Sequence, residues 1–280
     1  QLDCNQWARI ARAAGMKGLI LTAKHHDGFS LYPSKYTSHS VVKSPWKNGK
    51  GDVVRELADA CKRYGLKLGI YLSPWDRFHP DYGTDSYNQV YANMQKELLT
   101  QYGPIFEFWY DGANGEGPNG KKQIYNWPLF NNTVLKYQPN AIQFSDSGPD
   151  IRWVGNERGY AYDTTWSPML RDSVYAGMPG FDKYAKGQEN GTHWVPTESD
   201  VSIRPGWYYH PEQDDKVKTL SQLVDIYFNS VGRNSNFLLN LPIDTRGLVH
   251  ENDEAQLKKL AIYLSKMYET DFADSAKIKA

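Results

Sequence analysis

Ile105-Phe-Glu-Phe-Trp-Tyr-Asp-Gly112 is an aromatic and aliphatic run that ends in an acid, and a glycine-rich segment from Asp111 to Gly120 follows it directly. Such a run predicts a buried strand. Pleating places residues two apart on one face, so Glu107, Trp109 and Asp111 point one way and Phe106, Phe108 and Tyr110 the other. A strand that hands an acid from its last residue to a flexible loop is how barrel enzymes present catalytic groups. A charged Glu107, one layer deeper, needs a partner, and Lys24 and Lys67 on neighbouring strands are the candidates.

Working outward, strands and helices alternate. A helix from Asp3 to Ala14 precedes a strand over Gly18–Lys24, and Asp52 and Gly65 bracket a second helix. A strand over Leu66–Ser73 and a helix over Tyr87–Tyr102 lead to the quoted run. Beyond it come a helix over Gln123–Tyr137 interrupted near Pro128, a strand over Ala141–Asp146, and an irregular stretch from Arg152 to Gly191. A strand over Trp194–Val201, a helix over Leu220–Val231, a strand over Phe237–Leu241 and a helix over Glu251–Tyr268 complete the series. These are about six strands, spaced as βαβ units of a parallel sheet. The fold class expected is α/β, a (β/α)8-like, TIM-type barrel. A helix leading into the first visible strand implies that the barrel is incomplete, with its first strand absent from this chain. Residues 1–271 are expected to form the catalytic barrel domain, and 272–280 a linker towards an absent C-terminal domain. An open doubly wound sheet is the alternative, weakened because no Gly-x-Gly-x-x-Gly follows a strand near the start.

Lys+Arg and Asp+Glu are both 32, so no basic field points to nucleic acid. No apolar run is long enough for a membrane span. Aromatic content is 14%, with 9 Trp and 20 Tyr, more than enough to fill a core and leave rings for the apolar faces of a sugar. Cys4 and Cys61 fall on apolar helix faces and read as inert core thiols. Neither a Gly-x-Ser-x-Gly elbow nor a phosphate loop is present, which disfavours serine hydrolases and nucleotide transfer.

Three polar or aromatic clusters fall at strand C-terminal ends: His25-His26-Asp27, Tyr71 through Trp75-Asp76, and Trp109 with Asp111. His25 and His26 can be read as metal ligands, a structural pair, or hydrogen-bonding groups for a hydroxylated ligand. The last is favoured, because adjacent strand residues point to opposite faces and no His-Glu-x-x-His occurs. Asp111 can also be read as a turn former before Gly112. Glycoside hydrolysis needs a second acid across the scissile bond. Glu157, in Arg152-Trp-Val-Gly-Asn-Glu-Arg158, is the candidate, its bland reading being a surface pair with Arg158. Glu116, Glu198 and Asp76 are rivals that spacing does not separate.

Ala14-Gly-Met-Lys17, Leu21-Thr-Ala-Lys-His-His-Asp-Gly-Phe29, Gly69-Ile-Tyr-Leu-Ser-Pro-Trp-Asp76 and Phe108-Trp-Tyr-Asp-Gly112 resemble the α-L-fucosidases of glycoside hydrolase family 29. Gly112 to Lys121 and Trp153-Val-Gly-Asn-Glu157 resemble its branch selective for α-1,3/1,4-linked fucose. The resemblance implies a retaining exo-glycosidase on a (β/α)8-like barrel, with no metal or other cofactor, acting on fucosylated, Lewis-type oligosaccharides. It implies Asp111 as nucleophile and Glu157 as general acid/base. His25, His26, Tyr71, Trp109 and Trp207 would hold the fucose, with Trp75 beside them. It further implies a preceding strand with a sugar-binding His, a trailing β-sandwich, and a periplasmic or secreted location. Two other readings stand: a carbohydrate-binding protein without turnover, and a metal-dependent barrel hydrolase using the His pair.

Overall fold

The structure, a computed structural model, describes residues 2–171, 174–175, 178 and 183–271. The expected linker at 272–280 lies outside these residues. The chain runs α1 (Cys4–Ala13), β1 (Gly18–Lys24), α2 (Val53–Tyr64), β2 (Lys67–Leu72), α3 (Asp85–Gln101), β3 (Ile105–Trp109), α4 (Trp127–Tyr137), β4 (Ile142–Ser145), β5 (Ile151–Trp153), β6 (Pro168–Met169), β7 (His193–Trp194), β8 (Thr197–Ser202), α5 (Leu220–Ser230), β9 (Ser235–Asn240) and α6 (Glu251–Met267).

Seven strands form one sheet in the order β1-β2-β3-β4-β5-β8-β9, every pairing in it parallel. Strand order follows chain order without the reversal that a doubly wound sheet requires, so that alternative is excluded. The sheet is also strongly curled. Trp109 on β3 reaches Glu198 on β8 with a hydrogen bond of 2.8 Å, although β4 and β5 lie between them. In a flat sheet the same strands would be about 14 Å apart. The helices close the outside: Gln6 and Trp7 of α1 donate to the carbonyls of Val249 and Gly247, just ahead of α6, both at 2.9 Å. An incomplete TIM-type barrel is thus the architecture, open between β1 and β9.

Local chemistry accounts for the helix ends. Asp3 accepts from the Asn5 and Gln6 amides and Asp52 from Arg55, so both helices start on acidic caps. Gly65 ends α2 at φ +66°, in the left-handed region where a side chain would be strained. Pro128 does not interrupt a helix. It lies in the first turn of α4, which Asn126 caps and which begins at Trp127, because a residue without N–H costs nothing there. The expected strand over Trp194–Val201 is divided at Val195-Pro196, so that β7 pairs antiparallel with β6 and β8 joins the main sheet. Pro196 lacks the donor that a continuous strand would need.

The pleat of β3 separates two environments. Phe108 and Tyr110 face the helices, buried with Tyr91, Leu98 and Phe130, while Glu107 and Trp109 face the inside of the curl. Phe106 departs from the simple alternation. It is the extra residue of a bulge opposite Leu68–Gly69, and its ring lies where a Cβ on Gly18 would come within 2.7 Å of it. Cys4 and Cys61 are buried free thiols, and burial pushes both up to about 12. Among the described residues, no helix is long and apolar enough to cross a membrane.

Candidate active site

The C-terminal ends of β1, β2 and β3 bring the first three clusters together. Asp111 stands two residues past β3. Its Oδ2 accepts the Tyr71 hydroxyl at 2.7 Å and its Oδ1 the Ala113 amide at 2.8 Å. His26 Nε2 lies 3.6 Å from the same Oδ2. Burial pushes the Tyr71 phenol up, and the Asp111 charge pushes it further, so Tyr71 is a neutral donor. Gly112 follows Asp111 because a Cβ there would lie 2.0 Å from Asp146 Oδ2.

His25 and His26 do not point to opposite faces. Their ring centroids are 3.9 Å apart. The reason is local: β1 ends at Lys24 after a bulge between Thr22 and Lys24, so the pair sits beyond the pleat in a turn. Burial holds both imidazoles below their ordinary pKa, His26 at about 4, against the pull of Asp111. His26 Nδ1 is 2.7 Å from Ser73 Oγ, whose own proton goes to the Trp75 carbonyl at 3.0 Å. Nδ1 therefore carries the imidazole proton, and Nε2 is left as an acceptor facing the Asp111 carboxylate. Two acceptors at that separation form a natural seat for a hydroxyl donor. His25, His26 and Asp111 also offer ligand atoms within 4.8 Å of one another, and among the described residues they are the group that could hold a metal ion.

Aromatic rings wall this cluster. Trp109 is stacked between Tyr71 at 5.1 Å and Phe144 at 4.1 Å. Trp75 lies 4.7 Å from His26 and donates to the Glu116 carbonyl at 3.1 Å. Its indole occupies the space that a side chain at Gly115 would need, 2.1 Å from an ideal Cβ. Beneath it, Lys24 and Asp76 form a buried ion pair at 3.1 Å. Burial opposes ionisation of Asp76, but Lys24 and the His79 and Phe78 amides outweigh it and hold the carboxyl below its usual range.

Glu157 and Trp207 form a second, more open part, on the loops after β5 and β8. The Trp207 indole donates to Glu157 Oε2 at 3.2 Å. This bond replaces the expected surface pair with Arg158. Both residues are exposed. The Trp207 loop is nonetheless anchored. Asn240 donates to the Trp207 carbonyl at 3.0 Å, and buried Arg204 binds Asp253 of α6 and Asp214. Tyr208 joins the two parts, meeting His25 edge-on at 5.7 Å.

Of the rival acids, Asp76 is committed to Lys24, Glu198 is buried behind Trp109, and Glu116 is exposed on the glycine-rich loop. The partner expected for Glu107 is corrected. Lys24 is taken by Asp76 and Lys67 is exposed, and Glu107 instead bonds Glu198. Sequence reasoning missed Tyr208, Ser73 and Asp200. Asp200 accepts the Trp153 indole N–H at 2.7 Å. Burial, then the charges of Glu157 and Glu198, push it up to about 7 despite that bond. The signal was the alternation Glu198-x-Asp200-x-Ser202, three polar residues on one face of a strand.

The profile of the α-L-fucosidase family matches residues 1–269. α-L-Fucosidase 1 of Arabidopsis thaliana is 46% identical over 276 residues, covering 98% of this chain and 54% of the plant protein. A glycoside hydrolase 29 family member from an unknown rumen bacterium superposes with a TM-score of 0.93 at 46% identity, covering 100% of this chain and 52% of that one. A Ruminococcus gnavus fucosidase solved in complex with fucose gives a TM-score of 0.87 at 31% identity, over 98% of this chain and 60% of that one. The chain spans about half the length of the curated relatives it matches, at 54% and 53% of the first two. With the profile running across nearly every described residue and the barrel shared, the chain belongs to the α-L-fucosidase family, glycoside hydrolase family 29.

Proposed function

We propose that the protein is a retaining exo-α-L-fucosidase with Asp111 as nucleophile and Glu157 as general acid/base. The observation that carries this reading is the setting of Asp111, an acid beyond a strand end, bonded by Tyr71 and faced by neutral His26. Asp111 attacks the anomeric carbon while Glu157 protonates the departing glycosidic oxygen. Water, deprotonated by Glu157, then opens the fucosyl-enzyme, and two inversions retain the configuration. The Tyr71 hydroxyl and the Ala113 amide hold the carboxylate aimed. A sugar hydroxyl donates into the space between His26 Nε2 and Asp111. The Trp109 face, fixed between two rings, offers an apolar wall for the fucose methyl or ring face.

The preferred linkages are α-1,3 and α-1,4, on the strength of the Gly112–Lys121 and Trp153–Glu157 stretches. Residues 1–271 act as the catalytic unit of a longer protein with a β-sandwich, located in the periplasm or secreted. Incubation with α-1,3-, α-1,4- and α-1,2-fucosylated oligosaccharides, followed by NMR, tests this directly. Release of α-fucose first, from the α-1,3 and α-1,4 substrates, is expected. β-Fucose first would overturn retention, and equal use of the α-1,2 substrate would overturn the linkage preference. A metal-dependent hydrolase is the second reading, favoured by the His25–His26–Asp111 donor set. Full activity after exhaustive chelation would remove it.

A further inference from the structure

Behind the Trp109 wall lies a carboxyl pair that the proposed displacement does not use. Glu107 on β3 and Glu198 on β8 are 2% and 0% exposed, and they are hydrogen-bonded to each other. Both oxygens of Glu198 also accept from neutral donors, Oε1 from the Trp109 indole at 2.8 Å and Oε2 from Asn236 at 2.6 Å. Glu107 Oε1 has no hydrogen-bond partner. Among the described residues, no cation attends the pair. In register, β2 places Gly69 and β4 places Ile142 beside Glu107, and β5 places Trp153 and β9 Asn236 beside Glu198. Asp200, the next inward acid on β8, adds only a further negative charge, and Lys24 is held by Asp76.

Two buried carboxylates in contact, with no positive charge opposite, cannot both ionise. Glu198 is already an acceptor on both oxygens, so the proton belongs on Glu107, which donates it to Glu198. The remaining charge on Glu198 is then spread over three donors. The stacking of Trp109 between Tyr71 and Phe144 fixes the plane of the indole but leaves rotation within that plane free. The bond to Glu198 fixes the rotation.

We propose that Glu107 and Glu198 form a carboxylic acid–carboxylate pair, with the proton on Glu107, that positions the Trp109 indole beside Asp111. The role assigned to Trp109 rests on the fucosidase reading above, whereas the protonation of the pair does not. Glu107 and Glu198 are positioning residues, since neither reaches the reacting atoms. Burial and the neighbouring carboxyl both push Glu107 far above the ordinary carboxylate range, the direction that keeps the proton on the pair, and losing that proton would create a second buried charge. That charge would disrupt the Trp109 bond.

In an Asp200→Asn background, which removes the other carboxyl raised to about 7, infrared spectra of the full chain, taken with pH, should show the carbonyl stretch of a protonated carboxyl at neutral pH. That band should vanish in Glu107→Gln and fade as pH rises, in step with kcat/KM on a fucoside. Glu107→Ala should lower kcat/KM about tenfold, mainly through KM, by taking one of three donors from the buried Glu198 carboxylate. Glu107→Gln keeps a donor towards Glu198 and should recover to within about threefold, with the alkaline fall moved to higher pH. The indole N–H NMR signal of Trp109, assigned with Trp109→Phe, should shift in Glu198→Gln. Absence of the band, its survival in Glu107→Gln, an unmoved indole signal, or no recovery of Glu107→Gln over Glu107→Ala would each overturn the proposal. The band and the indole signal are read without substrate. Their presence in a protein that releases no fucose would therefore uphold the pair and overturn the function proposed above.

Discussion

Asp111 has both carboxylate oxygens engaged, at 2.7 and 2.8 Å, and sits among neutral, half-buried rings beyond three adjacent strands. Glu157 is exposed on a loop and accepts an indole N–H at 3.2 Å from another exposed loop residue. The contrast matches the two jobs. A nucleophile, the role proposed for Asp111, must stay aimed throughout, and preorganised donors beside a rigid sheet suit that. An acid/base gives up and recovers a proton and must admit both a leaving sugar and water, so a loop carries it. On the roles proposed above, the half of the site beside β1–β3 is built into the sheet ends, and the Glu157 half is the one that a bound substrate would complete.

Mutation should break or sharpen that contrast. Asp111→Ala should lower kcat by roughly 10⁴-fold or more while thermal unfolding stays cooperative. Near-normal turnover would remove Asp111 from the mechanism. Glu157→Ala should cost roughly 10²–10⁴-fold on a natural oligosaccharide and far less on an activated aryl fucoside. Azide should rescue it, yielding a fucosyl azide of retained configuration. If neither an activated leaving group nor azide helps, Glu157 is not the acid/base.

Asp200 tests the electrostatics between the halves. Its carboxyl is raised from 3.8 to about 7 in the folded state. Its contribution to stability is complete below the unfolded value and is lost as pH rises through 7. Asp200→Asn should remove this loss, a gain on the order of 4 kcal/mol above pH 7, read from urea unfolding of both proteins at several pH values. A difference that does not change with pH would show that Asp200 is not desolvated. Smaller effects separate the two bonds. Tyr71→Phe, which strips a half-buried carboxylate of a donor, should reduce kcat/KM by about 10–100-fold. Trp207→Phe, which removes an exposed bond, should cost less than about fivefold. Equal losses would erase the contrast.

Much of this was legible in local chemistry. Asp3, Asp52 and Gly65 marked helix ends because caps and left-handed turns act within a few residues. The pleat of β3 put Trp109 and Asp111 on the side away from Phe108 and Tyr110. What failed depended on neighbours. Three residues, Ile151–Trp153, form a strand only because β4 and β8 flank them. The His pair was assigned to opposite faces because the bulge that ends β1 leaves no trace in residue type. For Glu157 the bland alternative was a pair with adjacent Arg158, whereas its bond comes from Trp207, fifty positions along the chain.

The sequence by itself determined the alternation of strands and helices, the strand-end placement of Asp111, His25, His26 and Tyr71, and the inward face of the Ile105–Gly112 run. These rest on periodicity and capping, which span a few residues each. Only the tertiary structure decided what that run meets. Curling of the sheet carries β8 across to β3, so Glu107 finds another carboxyl, Glu198, where a lysine was expected, and Trp109 finds the acceptor that orients it. Proton sharing between residues 91 positions apart is set by the closing of the curl, a property of all seven strands together.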